Sequence, residues 1–413
     1  MNRRTVVRYW APPVAAIALL ALPAVVSLAG PQRAKAQYPV RFKDSVVPRP
    51  PGYPANRPWP VFRMSQDYPA SLSLDDVSGP WDWIDFRDEP RRYLAEVLRY
   101  GIHDNLAIGS GRHHLSRRRW FHAPYLHSLP HGREPLRGLT YERVTTAVEL
   151  IGEQNARQKK IPPDRRFQNW AVALYNAPGG WVLGRFWEGG TPHPGVVEFP
   201  LGTVAFKLLF TEATPQEVPY LGGAPTWEAY IYERALPSGG GSTPKRVRKT
   251  LYLLQVDVAV RDRNADARNN GGQGAGWVFC TYRYNAFAPG PGPDQTEPDW
   301  LTRLRPLGLM WGNDLSQNHL IPDPSMEERG YPNHRGAGGR LNGPVDNPKS
   351  SCLSCHSTAE TPFNERYVPE GTNTKRWFRT LPTGTPFTKC ATSLHYSLQL
   401  AHGMRNYRKE NPD

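Results

Sequence analysis

Alternation within residues 251–260 constrains the fold more than any other feature of this chain. Tyr252, Leu254, Val256, Val258 and Val260 alternate with Leu253, Gln255, Asp257 and Ala259. A period of two turns one apolar set toward a core and leaves the other face mixed, as in a strand of an antiparallel sheet. Five more runs rich in aromatic and β-branched residues accompany it, at 170–175, 181–187, 203–210, 227–232 and 277–284. Pro178-Gly179-Gly180 separates the first two as a hairpin turn would. Strands do not alternate with helical segments, which argues against a doubly wound parallel sheet. The expected fold is mainly β: a β-sandwich-like body over 165–300, a few helices, and a loop-rich C-terminal segment over 301–413.

Residues 37–164 read as a proline-rich arm followed by mixed loop and helix. Pro48, Pro50, Pro51, Pro54, Pro58 and Pro60 crowd into one short stretch, too dense for a helix. A helix is predicted over 89–100, with Tyr93, Leu94, Val97 and Leu98 on its apolar face and Gly101 at its stop. Beyond Pro289 little regular structure is expected before a last helix over 391–407, whose stripe is Leu394, Leu398, Ala401 and Met404.

At the N-terminus, Arg3, Arg4 and Arg8 precede an apolar run over 11–30, and Ala34-Lys35-Ala36 offers a small-x-small cleavage pattern. Residues 1–36 thus read as a signal peptide, and the periplasm is the expected location. The stretch 14–29 contains Pro23 and is shorter than the roughly 20 residues that span a bilayer, so membrane attachment follows only if the leader is retained. The leader's five positive charges, taken from the formal +14, leave +9 on the rest of the chain. Outside the inner membrane such a charge points to an acidic redox partner or an anionic surface rather than nucleic acid, because fields of opposite sign speed encounter.

Export also decides how the cysteines are read. Four in a chain of this length are too few for a disulfide-stapled scaffold. Cys352 and Cys355 stand directly before His356 in a C-x-x-C-H pattern. Two thiols on one turn can each form a thioether to a haem vinyl group, and the adjacent imidazole then meets iron. With 4 Cys and 12 His in the chain, a chance match arises about once in a thousand such sequences. Two other arrangements remain: a zinc site from Cys352, Cys355, Cys390 and His395, or a Cys352–Cys355 disulfide. The gap from Cys355 to Cys390 is long for a compact zinc site.

By this motif the chain resembles c-type cytochromes, and the resemblance covers Cys352–His356 alone. It implies one covalently attached haem c, with Cys352 and Cys355 as thioether positions and His356 as proximal iron ligand. The surroundings depart from the small monohaem pattern, in which the motif closes an N-terminal helix. Here Gly338-Gly339-Arg340-Leu341-Asn342-Gly343-Pro344 cannot form such a helix, and only the short stretch 357–413 follows His356. The haem is therefore expected between the C-terminal helix and the β-rich body. Leu309-Met310-Trp311-Gly312-Asn313-Asp314 and the stretch leading into Cys352 are also similar to exported bacterial proteins with one C-terminal haem motif, which adds no function.

Met404, well downstream of His356 on the apolar stripe, is the first choice for a sixth iron ligand, since a Met/His pair suits an electron carrier. Its competing role is to fill a gap in the core. His395 and His402 come next, then Met310 and Met326. Six of the twelve histidines, His103, His113, His114, His122, His127 and His131, cluster in one stretch beside Arg112, Arg117, Arg118 and Arg119. Such a stretch offers either a distal group for peroxide chemistry or a solvated basic loop. Cys280 and Cys390 are either a second disulfide or unpaired thiols. Paired acids at hydrolase spacing, a phosphate-cradling glycine loop and a serine nucleophile elbow are absent. The expectation is an exported electron carrier holding one haem c. The alternatives are a haem-dependent peroxidase or other oxidoreductase, and a β-sandwich binding protein without haem.

Overall fold

A computed structural model describes residues 42, 49, 52–57, 62–102, 120–126, 132–236, 244–266, 274–290, 298–316, 318–363 and 374–412. The expected leader, and the histidine-rich stretch apart from His122, lie outside the described residues. Residues Val40–Asp413 form one compact unit.

The chain is mainly β. Its centre is an antiparallel eight-stranded sheet: β1 (Thr140–Tyr141), β4 (Asn169–Tyr175), β5 (Val204–Thr211), β6 (Thr226–Tyr232), β7 (Arg246–Asp266), β8 (Ala275–Tyr284), β9 (Leu304–Met310) and β10 (Asn318–Leu320). The strands run in the order β1-β4-β5-β7-β8-β9-β10, and β6 pairs with the first third of the long β7. Two small two-stranded pieces complete the β structure, β2 (Thr145–Thr146) with β3 (Arg166–Phe167) and β11 (Glu360–Thr361) with β12 (Thr392–Ser393). The helices are α1 (Pro90–Ile102), α2 (Ala147–Ile151), α3 (Glu153–Gln158), α4 (Ala177–Phe186), α5 (Asp299–Thr302), α6 (Pro324–Glu328), α7 (Cys352–His356), α8 (Thr374–Trp377) and α9 (Leu398–Glu410).

Both faces of the sheet are covered, which gives the body its sandwich-like layering. On one face Phe206, Leu208, Val256, Val258 and Val260 join Trp81, Phe86 and the apolar side of α1 in a closed core. On the other, Tyr175, Trp277 and Phe279 pack with α4, α7 and α9. The alternation in 251–260 maps onto this division, because successive strand residues face opposite ways.

Three expectations are corrected. Residues 181–187, expected as a strand after a hairpin, belong to helix α4 and its C-terminal end. Asn176 caps it by accepting from the Gly179 N–H at 3.5 Å, and Pro178 sits in the first turn, where a missing N–H costs nothing. Gly179 and Gly180 serve packing: a Cβ there would come within 2.5 Å of Tyr175 and 2.4 Å of Phe121. The second correction is β9, in a region expected to be irregular. Its Pro306 lies beside the register shift between Thr281 and Tyr282, one of the few sheet positions that tolerate proline. The last helix also begins later than 391. Ser397 caps α9, and His395 and Tyr396 before it hold positive φ of 49° and 66°.

Candidate cofactor site

The motif residues make up α7, a single helical turn. Ser351 caps it reciprocally with Ser354: Ser351 Oγ accepts from Ser354 N at 3.1 Å, and Ser354 Oγ accepts from Ser351 N at 2.8 Å. Ser351 Oγ also donates to Asn313 Oδ1 at 2.7 Å, and Asn313 Nδ2 donates to the Trp377 carbonyl at 2.7 Å. Arg340 Nε donates to the Asn313 carbonyl at 2.8 Å. Buried Asn313 thus clamps the turn from β9's exit, a role no spacing in the sequence announces.

Cys352, Cys355 and His356 line a cavity of about 380 Å³ between the mixed sheet face, α7 and α9. That size lies within the usual range for small-molecule and cofactor pockets. The sheet provides the floor through two cross-strand rows. In the first, Ala205, Ala259 and Phe279 stand opposite one another on β5, β7 and β8. In the second, Ala173, Lys207, Asp257 and Thr281 do so from β4 to β8. Alanine on three strands leaves the space, and Leu398, Gln399 and His402 of α9 close it from above.

His356 is oriented by a single strong contact. Its Nδ1 lies 2.8 Å from the Tyr396 carbonyl oxygen. A carbonyl can only accept, so Nδ1 carries the proton and Nε2 keeps its lone pair. The ring packs 4.8 Å from that of Phe279. Tyr396 is itself held by its hydroxyl, which donates to the Leu381 carbonyl. Burial pushes His356 down to about 4, with Lys207 adding to the effect, so the imidazole is neutral at pH 7. Burial likewise raises Cys355 to about 11 and pushes Cys352 up as well. Cys352 Sγ sits 3.7 Å from Thr281 Oγ1.

The donor set suits a covalently held haem. Two thiols and a neutral imidazole with one nitrogen anchored project from the same turn into a largely apolar space. A ligating histidine ordinarily donates its second N–H to a carbonyl or carboxylate, which fixes ring and tautomer.

Of the residues considered for a sixth ligand, the structure brings only His402 to this cavity. Burial, and after it Arg405, Lys207 and His356, lowers its pKa to about 4. Met404 is buried in the packing of α9 against the sheet and does not line the cavity, because two residues along a helix turn a side chain to the opposite side. Met310 and Met326 are core residues, and His395 bonds Thr383 Oγ1 at 3.2 Å.

The zinc set is not assembled: among the described residues no three His, Cys, Asp or Glu side chains converge as a metal-holding group, and Cys390 is exposed. Cys280 is unpaired too, buried on the closed face of β8. His122 braces the arm by accepting from Ser65 N at 3.0 Å.

The polar part of the cavity went unrecognised in the sequence. Lys207 Nζ pairs with Glu142 Oε2 at 3.2 Å, while Gln255 Nε2 donates to both oxygens of Asp257 and to Asp346 Oδ2, each at 2.9 Å. Charges inside the apolar strands β5 and β7 were the available signal. Comparison with protein-family models, curated proteins and solved structures gives no match, so the functional argument rests on this geometry.

Proposed function

We propose that the protein binds one haem c through Cys352 and Cys355, with His356 as proximal ligand, and passes single electrons outside the inner membrane. The observation that carries this reading is the anchored His356: its Nδ1–H is held by the Tyr396 carbonyl, while both thiols open from the same turn onto one cavity. Bound haem supplies a one-electron couple. The chain orients the imidazole through Tyr396, fixes the thiols through the Ser351–Asn313 clamp, and keeps water from the ring with Phe279 and Leu398. His402 replaces Met404 as the proposed sixth ligand, because it faces the same cavity from α9. The formal +9 of the chain without its leader supports an acidic redox partner.

A haem-dependent oxidoreductase is the second reading, favoured by the polar row beside the thiols. A native spectrum that responds to cyanide or carbon monoxide selects it over the carrier.

The test is an alkaline pyridine spectrum and intact mass of the exported chain, produced with cytochrome c maturation machinery. One porphyrin per chain, lost entirely in Cys352→Ser/Cys355→Ser, is the expected result. His402→Ala should abolish the low-spin bands and leave covalent attachment intact. A colourless chain at its bare mass overturns the proposal.

A further inference from the structure

The polar end of the cavity is unbalanced in charge and in hydrogen bonding. Arg143 lines it too, but pairs with Glu149, which does not. Lys207 and Arg143 are then two positive charges against Glu142, Asp257 and Asp346, with Arg143 shared with Glu149. The two aspartates share the two N–H donors of Gln255 Nε2, and Asp257 also accepts from the Thr281 hydroxyl at 2.9 Å. Burial raises both carboxyls, Asp257 to about 7 with Asp346 adding to the effect.

Asn342 supplies an independent sign. It lines the same cavity at 2% exposure, its Nδ2 donates to the Asn347 carbonyl at 2.9 Å, and its Oδ1 is buried with no partner. The Nδ2 contact fixes the amide, so the unmatched atom is an acceptor. A buried acceptor left unpaired costs about 1–3 kcal/mol, which a ligand donor would recover. The unmet atom here is an acceptor, and the acids outnumber the bases.

We infer that this end of the cavity binds a small primary ammonium group, its N–H donors shared between Asn342 Oδ1 and the Asp257–Asp346 pair. An ammonium has three donors and no acceptor, which matches that demand. Lys207 and Glu142, at the edge of this end of the cavity, are 32% and 27% exposed. The inference does not rest on the haem reading, since none of these groups is a thiol or an iron ligand.

Calorimetric titration of the full exported chain with methylammonium chloride tests it, with tetramethylammonium and methanol as comparisons. Saturable binding of methylammonium is expected, with tetramethylammonium, which carries charge but no N–H, at least about tenfold weaker. Asp346→Asn should weaken methylammonium by about tenfold or more. Absence of binding, equal affinity for tetramethylammonium, or indifference to Asp346→Asn overturns the site; the ligand series decides even if that variant fails to fold. Haem content is measured on the same samples. Binding by a chain without haem supports this site and sinks the cofactor proposal, and haem without binding does the reverse.

Discussion

The two faces of the central sheet are made by the same strands and have opposite character. On β5 and β7, Leu208, Val256 and Val258 enter a closed apolar core, while their neighbours Lys207 and Asp257 face a cavity. The closed face buries large side chains against α1 and the arm. The other leaves room through Ala173, Ala205 and Ala259, and holds charges there. Buried charge is expensive and seldom the best way to stabilise a fold. The first face is thus closed packing, and the second keeps a charged cavity beside the packing of Tyr175, Trp277 and Phe279.

The largest expected effect tests that division directly. Leu208→Ala should cost about 2–5 kcal/mol, read as a lower denaturant midpoint, because it opens a void in a packed core. Asp346→Asn in the same assay should stay within about 1 kcal/mol of the parent, since relief of like charge offsets a weakened hydrogen bond. Equal losses would mean that the two faces share the load.

A smaller effect compares the cavity acids with a buried acid that is internally satisfied. Glu134 accepts from the backbone N–H groups of Tyr230 at 2.7 Å, Leu136 at 2.8 Å and Arg137 at 2.7 Å. Burial nevertheless raises it from 4.5 to about 7. The protonated form is favoured in the fold, so its contribution is intact below about pH 4.5 and is lost as pH rises through about 7. Glu134→Gln should flatten unfolding free energy across that window by on the order of a few kcal/mol. An unchanged slope would show that the carboxyl titrates normally.

The smallest effect separates ligand from packing on α9. Met404→Leu, a volume-conserving swap, should cost under about 1.5 kcal/mol and leave the visible spectrum unaltered. Loss of the low-spin bands in Met404→Leu would restore Met404 as the iron ligand and remove His402.

How far the site was legible follows from where each part is encoded. The two thiols of α7 and the histidine after them are contiguous, so Cys352, Cys355 and His356 could be read from spacing. The mixed face of β7 was equally plain in Gln255, Asp257 and Ala259. Helix α4 was misread because Trp181, Val182 and Phe186 suit a strand, and Pro178-Gly179 serves a helical first turn as well as a hairpin. β9 was hidden by Pro306 and Gly308, residues that weaken any strand signal.

Local order thus determined the strand-rich class and the donor groups of one helical turn, because periodicity and a five-residue motif act over neighbours. Only the tertiary structure decided what meets that turn. The Tyr396 carbonyl, far from His356 in sequence, anchors the imidazole at 2.8 Å through backbone conformation that side-chain identity does not reveal. His402 rather than Met404 reaches the cavity because the angle at which α9 docks sets which side of the helix looks inward. Lys207, Asp257, Asn342 and Asp346 become one site because strand register and a returning loop bring separate stretches together.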